Sequence, residues 1–378
     1  MRRLLARLHR WVGLATGLVV FVVGLTGAVY VWEAELFAMV HRRLVYAEPS
    51  GTRASADVIL AAARTALPPD RPVIRLTWHA DPRRSVVAMA QRVVDDAPSY
   101  FHEFRYYDEV FLDPSTAQVL GVVDRKHDWI FLTRMIHTNL LLATRGTWIV
   151  ATSTIVFVLM VIVGMVLWWP RTRAVWRTRV VPRLSGPWKR TVFDTHNVLG
   201  AWGALGMLVL ALTGPVWTWK WYEGTIAWLF TGEARITAPP VEKPTQIDAP
   251  PIAEPLQAAL ATIRTRIPDG RRYMVDLPGG KFGALTVGVI YDHGSAWEEY
   301  DRYFFDPRTA TLTGDERFDE KNLGLRWRNS NYGLHTATLY GWPMQVAGTL
   351  LCLLVASLPV TGVLIWFPRW RRRRRQGG

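Results

Sequence analysis

The chain has 378 residues, half of them hydrophobic and 19 of them tryptophan, with a mean hydropathy of +0.08, which is too apolar for an ordinary soluble protein. Its formal net charge is +14, yet 17 cations lie in three short segments beside apolar runs, so the charge points to membrane topology and anionic lipid and gives no reason to propose nucleic acid. Cys352 is the only cysteine, which excludes an intrachain disulfide and any thiolate cluster.

Taken in order, four windows are long and apolar enough to cross a hydrocarbon core of about 30 Å: residues 11–32, 148–169, 199–219 and 346–367, none of which holds Asp, Glu, Lys or Arg. The first follows Arg2, Arg3, Arg7 and Arg10. It exceeds the usual signal-peptide core and has no small-residue cleavage site behind it, so it reads as an uncleaved span. Seven cations between Arg171 and Arg190, and six arginines from Arg369 to Arg375, mark the other basic segments. By the positive-inside rule these are cytoplasmic, as are both termini, and residues 33–147 and 220–345 face the opposite side.

The first outward segment opens with a short amphipathic continuation, residues 33–45, and a break at Glu48-Pro49-Ser50-Gly51. Residues 54–67 have helical spacing, and 73–78, 85–94, 104–112 and 118–123 read as strands. The second outward segment repeats the plan after a proline-rich linker at 239–251: a helix at 256–267, then strands at 273–276, 284–291, 299–305 and 310–312. Leu112-Asp113-Pro114-Ser115-Thr116-Ala117 matches Phe305-Asp306-Pro307-Arg308-Thr309-Ala310 at the last turn of each.

The expected fold is an integral membrane α-helical protein with four transmembrane helices as a tandem two-helix repeat and two outward α+β domains. The expected divisions are the first helix and its extension (1–43), the first outward domain (44–127), an interfacial helix and the second span (128–170), and a basic cytoplasmic loop (171–190). The third span (191–232), second outward domain (233–327), interfacial helix with fourth span (328–368) and basic tail (369–378) follow.

The repeat can be measured. Pro170 lies 33 residues after His137, and Pro368 lies 33 after His335; each proline follows an aromatic pair and is expected to close its helix. His9, Gly13, Thr26, Gly27 and Trp32 recur as His196, Gly200, Thr213, Gly214 and Trp219, each shifted by 187. His9 and His196 begin spans, so they belong near the cytoplasmic interface. His137 and His335 precede spans, and a straight helix from His137 to Pro170 would be about 50 Å long, so both are expected on short helices near the outer interface.

A single interfacial histidine is best read as a snorkelling residue. Four at repeat-equivalent positions favour paired imidazoles on iron, two b-type haems with axial ligands His9 with His196 and His137 with His335. Zinc is the other metal reading, without the usual carboxylate or thiolate company. Gly13, Thr16, Gly17, Gly24 and Gly27 fall on one stripe with His9, and Gly200, Gly203 and Thr213 do so with His196; small residues serve either close helix packing or room for a flat macrocycle. Arg7, Arg10, Arg134 and Arg145 are either propionate partners or topology and interface signals. Gly13, Gly200 and Arg134 join the four histidines as the candidate cofactor-binding set. His41, His79, His102, His127 and His293 have no counterpart in the other half and read as solvated loop residues. Tryptophans at span ends, among them Trp217 and Trp219, read as belt residues, a few of them candidates for an electron path.

Several blocks resemble the PepSY-associated transmembrane helix family: His9-Arg10-Trp11-Val12-Gly13; Ile136-His137-Thr138-Asn139 with Gly164 and Trp168-Trp169-Pro170-Arg171; Asp194-Thr195-His196-Asn197; and Leu334-His335-Thr336 with Thr361-Gly362. The resemblance covers nearly the whole chain. It implies PepSY-like periplasmic domains, a bacterial inner-membrane location, and the four histidines as haem ligands. It also implies a reductase that passes electrons from a cytoplasmic reductase or quinol to a periplasmic ferric chelate such as a ferric siderophore, within a family of mixed functions. The rival reading is a non-redox module whose outward domains bind a peptide or envelope protein while the membrane part anchors or signals.

Overall fold

The structure, a computed structural model, describes residues 1–48, 51–170, 172, 175–183, 187–233, 249–278, 284–291 and 298–376, with the side chains of 177–178 and 368–376 left aside. Most of the expected linker at 239–251, Pro49, Ser50, Arg171, Arg173 and His293 lie outside the described residues.

In chain order the elements are α1 (Arg2–Tyr30), α2 (Glu33–Val40), α3 (Arg42–Val45), α4 (Ala56–Thr65), β1 (Arg75–His79), β2 (Val86–Val93), α5 (Tyr100–Glu103), β3 (Phe104–Leu112) and β4 (Val119–Asp124). Next come α6 (Trp129–Asn139), α7 (Ala143–Trp168), α8 (Trp176–Val180), α9 (Trp188–Asp194), α10 (Gly200–Trp202), α11 (Ala204–Thr213) and α12 (Lys220–Thr231). The chain finishes with α13 (Pro255–Arg266), β5 (Arg272–Asp276), β6 (Leu285–Ile290), β7 (Tyr300–Phe305), β8 (Leu312–Glu316), α14 (Leu323–His335) and α15 (Trp342–Gln376).

Met1–Trp32, Thr133–Ile226 and Gly333–Gly378 form one compact unit. Three of its helices, Arg2–Tyr30, Ala143–Trp168 and Trp342–Phe367, are long and apolar enough to cross a membrane. Trp188–Trp202 with Ala204–Trp217 is a fourth candidate, bent by 64°. A straight span was the expectation for 199–219. The bend instead falls at Gly203, after a π-helical turn at Thr195–Leu199 that carries His196, because a π turn and nearby glycines both loosen the regular hydrogen-bond ladder.

Helix α7 stops at Trp168, two residues before Pro170, whereas α15 runs on through Pro368 to Gln376. The second proline of the repeat therefore does not close its helix; an internal proline is tolerated where the freed carbonyl finds another partner. The open carbonyls at the end of α7 are met by arginines. Arg2 Nη2 donates to the carbonyls of Val166, Leu167 and Trp169 at 3.0–3.1 Å, and Arg179 Nη1 donates to that of Trp168 at 2.8 Å.

His137 and His335 lie at or near the ends of short helices separated from the spans that follow. Between α6 and α7, Leu140, Leu141 and Ala143 all take positive φ (52°, 62° and 49°). Asn139 holds this turn: its carbonyl accepts from Leu142 N–H at 2.8 Å and its side chain from Leu141 N–H at 3.0 Å. Ala337 and Gly341, at φ 56° and 72°, turn the chain between α14 and α15.

Glu33–Leu132 and Ala227–Tyr332 form the other unit. Its strands make one antiparallel sheet in the order β4-β3-β2-β1-β5-β6-β7-β8. The two expected outward domains are thus halves of a continuous sheet, joined where β1 pairs with β5 in the register Trp78 with Tyr273 and His79 with Arg272. Each half lays its helix, α4 or α13, on the same face, and one core runs through both, including Ile59, Leu60, Leu76 and Val110 from the first and Leu260, Ile263, Val287 and Phe305 from the second. The helix starts cross-cap: Gln257 Oε1 accepts from Ala56 N–H at 2.9 Å, and Asp57 Oδ2 accepts from Gln257 N–H at 2.8 Å.

The matched turns are alike in detail. Asp113 Oδ1 accepts from the amides of Ser115 and Thr116, and Asp306 Oδ1 from those of Arg308 and Thr309, while Ala117 and Ala310 both take positive φ. The last strand falls at 312–316, where 310–312 was expected, because Asp306 organises the residues before it into the turn.

His79 is a strand residue and partly buried, contrary to the loop reading, and His41 reaches Asp128 at 3.5 Å. Burial, then the charges of Arg84, Arg272 and Arg271, hold the His79 imidazole down at about 4. An unfolded histidine titrates near 6.5, so between those values the unfolded chain binds the extra proton and stability falls as pH falls. Thermal unfolding of the whole protein at pH 7 and pH 5 should show a loss of about 1–2 kcal/mol from this residue. His79→Gln should remove that part of the pH dependence; an unchanged dependence would contradict the assignment.

Candidate functional site

The membrane-type unit brings the four histidines together in two pairs. The ring centres of His9 and His196 are 6.3 Å apart, and those of His137 and His335 are 6.1 Å apart. Two imidazoles bound in line to one iron, each through a bond of about 2 Å, have ring centres about 6 Å apart. Both pairs therefore have the spacing that a shared metal requires.

A common local device holds the rings. His137 Nδ1 lies 2.9 Å from the Val23 carbonyl and 3.4 Å from Thr26 Oγ1, and a Cβ on Gly27 would stand 3.1 Å from its Cε1. His335 Nδ1 lies 3.1 Å from the Leu210 carbonyl and 3.0 Å from Thr213 Oγ1, with Gly214 in the corresponding place at 3.2 Å. His196 Nδ1 lies 2.8 Å from Thr361 Oγ1, beside the Leu358 carbonyl, and faces Gly362. One helical turn of a neighbouring span thus grips each of these rings with a carbonyl, a threonine three residues on and the next glycine.

The threonines fix the tautomer. Thr26, Thr213 and Thr361 donate their hydroxyl protons to carbonyls of their own helices, at 2.7, 2.8 and 2.9 Å, so their oxygens accept from Nδ1–H. Nε2 is left with the lone pair, which is the form that ligates a metal.

The glycine stripe divides between its two expected uses. Gly13, Gly17 and Gly200 line a cavity of about 530 Å³ shared with His9, His196, Gly164 and Gly362, and a Cβ on Gly13 would meet nothing within 4 Å. Gly24 instead packs on the backbone of α15, and Gly27 on His137. The cavity is within the range of cofactor sites; Gly13 leaves open space in its wall, while Gly17 and Gly200 also pack on Pro359 and Leu358.

Arg10 lines the same cavity. Arg134 sits with its guanidinium 5.9 Å from the Tyr30 ring and is an electrostatic neighbour of His137. Trp217 sets its ring edge-on to His335 at 5.6 Å, while Trp148, Trp219 and Trp221 form a chain of ring contacts near 6 Å. The Thr-Gly dipeptides were visible in the repeat, but their grip on a histidine of another helix was not: the stripe was read relative to the histidine on its own span.

A family model for the PepSY-associated TM region matches residues 6–369. The chain belongs to this family. It is a membrane-type family, in keeping with the three or four apolar helices and the separate antiparallel sheet. A comparison with curated proteins finds no match. All four histidines and all four of the span glycines that face them fall inside the segment matched to the PepSY-associated family.

Proposed function

We propose that this protein is a di-haem b-type reductase of the bacterial inner membrane, which passes electrons to a ferric chelate, of the siderophore class, on the periplasmic side and releases Fe(II). The observation that carries the reading is the pairing of four histidines at 6.3 and 6.1 Å, with Nδ1 of three of them committed to a neighbouring helix. Haem bound there would supply one-electron iron chemistry.

The chain's own residues do the rest. His9 and His196 hold one haem, and His137 and His335 hold the other. Thr26, Thr213 and Thr361 keep three imidazoles in the ligating tautomer, and Gly13, Gly200, Gly164 and Gly362 line the space beside the first pair. Gly27, where His137 packs, lies 18 residues beyond His9 on α1, about 27 Å along the helix axis, close to a hydrocarbon thickness of about 30 Å. Two sites at these depths divide a low-dielectric barrier into shorter electron transfers.

The basic segments support a cytoplasmic His9/His196 site, taking electrons from a cytoplasmic reductase or a quinol, and an outer His137/His335 site facing the chelate. Reduction weakens the hold of hard oxygen ligands on iron, since Fe(II) is softer and less charged than Fe(III). Four transmembrane helices in two repeats, with a periplasmic sheet unit, complete the reading. Dithionite-reduced protein mixed with a ferric siderophore under anaerobic conditions should reoxidise and yield Fe(II) captured by a ferrous-specific dye. Haems that stay reduced would remove the chelate as acceptor.

A further inference from the structure

The fourth histidine is held differently from the other three. His9 packs on α7, where a Cβ on Gly164 would stand 3.4 Å from its Cε1, in the place that Gly27, Gly214 and Gly362 take for the other rings. The residue before the glycine is threonine in each of those three spans, Thr26, Thr213 and Thr361, and in α7 it is Val163. The Met160 carbonyl lies beside the His9 ring, in the position of the Val23, Leu210 and Leu358 carbonyls, but among the described residues no hydroxyl stands against the buried His9 Nδ1.

We infer that Val163 is a positioning residue that leaves His9 as the one axial ligand without a hydroxyl acceptor, and so holds the inner haem at a higher reduction potential than a threonine there would give. An acceptor on Nδ1–H makes the imidazole a stronger donor through Nε2 and stabilises the ferric form over the ferrous. Three ligands have a hydroxyl acceptor beside the carbonyl, and His9 has the carbonyl alone. Reduction adds one electron to the iron and forms or breaks no bond at the ring. The inference rests on the haem reading and concerns only how one site is tuned.

Val163→Thr supplies the missing oxygen at almost unchanged side-chain volume, while Val163→Ala changes packing without adding an acceptor. The probe is a mediated redox titration of the purified full-length protein, followed by its haem absorption bands. The inner haem is the component that His9→Ala removes. The expected result for Val163→Thr is a shift of the inner ferric/ferrous equilibrium of about tenfold toward ferric, which is a fall of about 60 mV for one electron. Val163→Ala should produce no such fall, and Thr361→Val, at the partner ligand, should shift the inner component the opposite way. An inner potential that ignores Val163→Thr, or that falls equally in Val163→Ala, overturns the inference and leaves the haem reading standing. A wild-type protein with no haem bands overturns both.

Discussion

Alanine at His196 is expected to abolish haem at the His9/His196 pair while the His137/His335 pair stays loaded, which halves the haem carried per chain. Removing an axial ligand costs more than the 10–100-fold in affinity that a lost supporting hydrogen bond costs, because the bond to iron itself is gone. The other pair should survive. His137 and His335 are held by turns of α1 and α11 around Val23–Gly27 and Leu210–Gly214, whereas the His196 ring is gripped by Thr361 on α15. His335→Ala should give the complementary loss. Haem per chain, measured on purified variants, checks both, and equal loss of the two haems from either substitution would contradict separate sites.

Leucine at Gly24 is expected to cost the bundle about 3 kcal/mol or more. A Cβ at that position would stand 2.8 Å from Ala356 N, 2.9 Å from the Cys352 carbonyl oxygen and 3.2 Å from Ala356 Cα. All three are backbone atoms of α15, so no rotamer change relieves the contact and the two helices must separate. Close approach through small residues is a main source of helix association in a membrane, where apolar burial contributes little. Leu18→Ala is the control: Leu18 is exposed on the same helix, so the substitution leaves that contact intact and should change stability by about 0.5 kcal/mol or less. Thermal unfolding in detergent should therefore separate the two substitutions; equal effects would show that α1 and α15 do not meet at Gly24.

The organisation around the site was largely legible, because histidine is uncommon in apolar segments and a repeat doubles every signal. The 187-residue offset from His9 to His196 and the 33-residue spacing shared by His137–Pro170 and His335–Pro368 were enough to select the four histidines that the structure brings together in two pairs. What holds their rings was not legible. Gly27 shares a stripe with His9, yet it and Thr26 serve His137, since a helix period describes one helix and is silent about which neighbour its face meets. The same reason hid the division of the glycines, Gly13 beside the cavity and Gly24 against α15.

Local pattern likewise found most strands of the sheet but not its continuity. Nothing in the alternation of residues 73–78 or 273–276 says that β1 and β5, some two hundred residues apart, pair with each other. The bend at Gly203 escaped because an apolar run reads as straight until a π turn and a glycine interrupt its ladder. Pro170 and Pro368 show the converse: equal spacing, yet one follows a helix end and the other lies within a helix.

The most direct measurement is the visible absorption spectrum of the full-length protein, purified in detergent after expression with ample haem, together with haem quantified per chain. The expected result is an intense Soret band and a sharp α band on dithionite reduction, at two b-type haems per chain, all lost when His9, His137, His196 and His335 are replaced together. A wild-type protein without a Soret band, or one whose haem survives the fourfold replacement, would contradict the account.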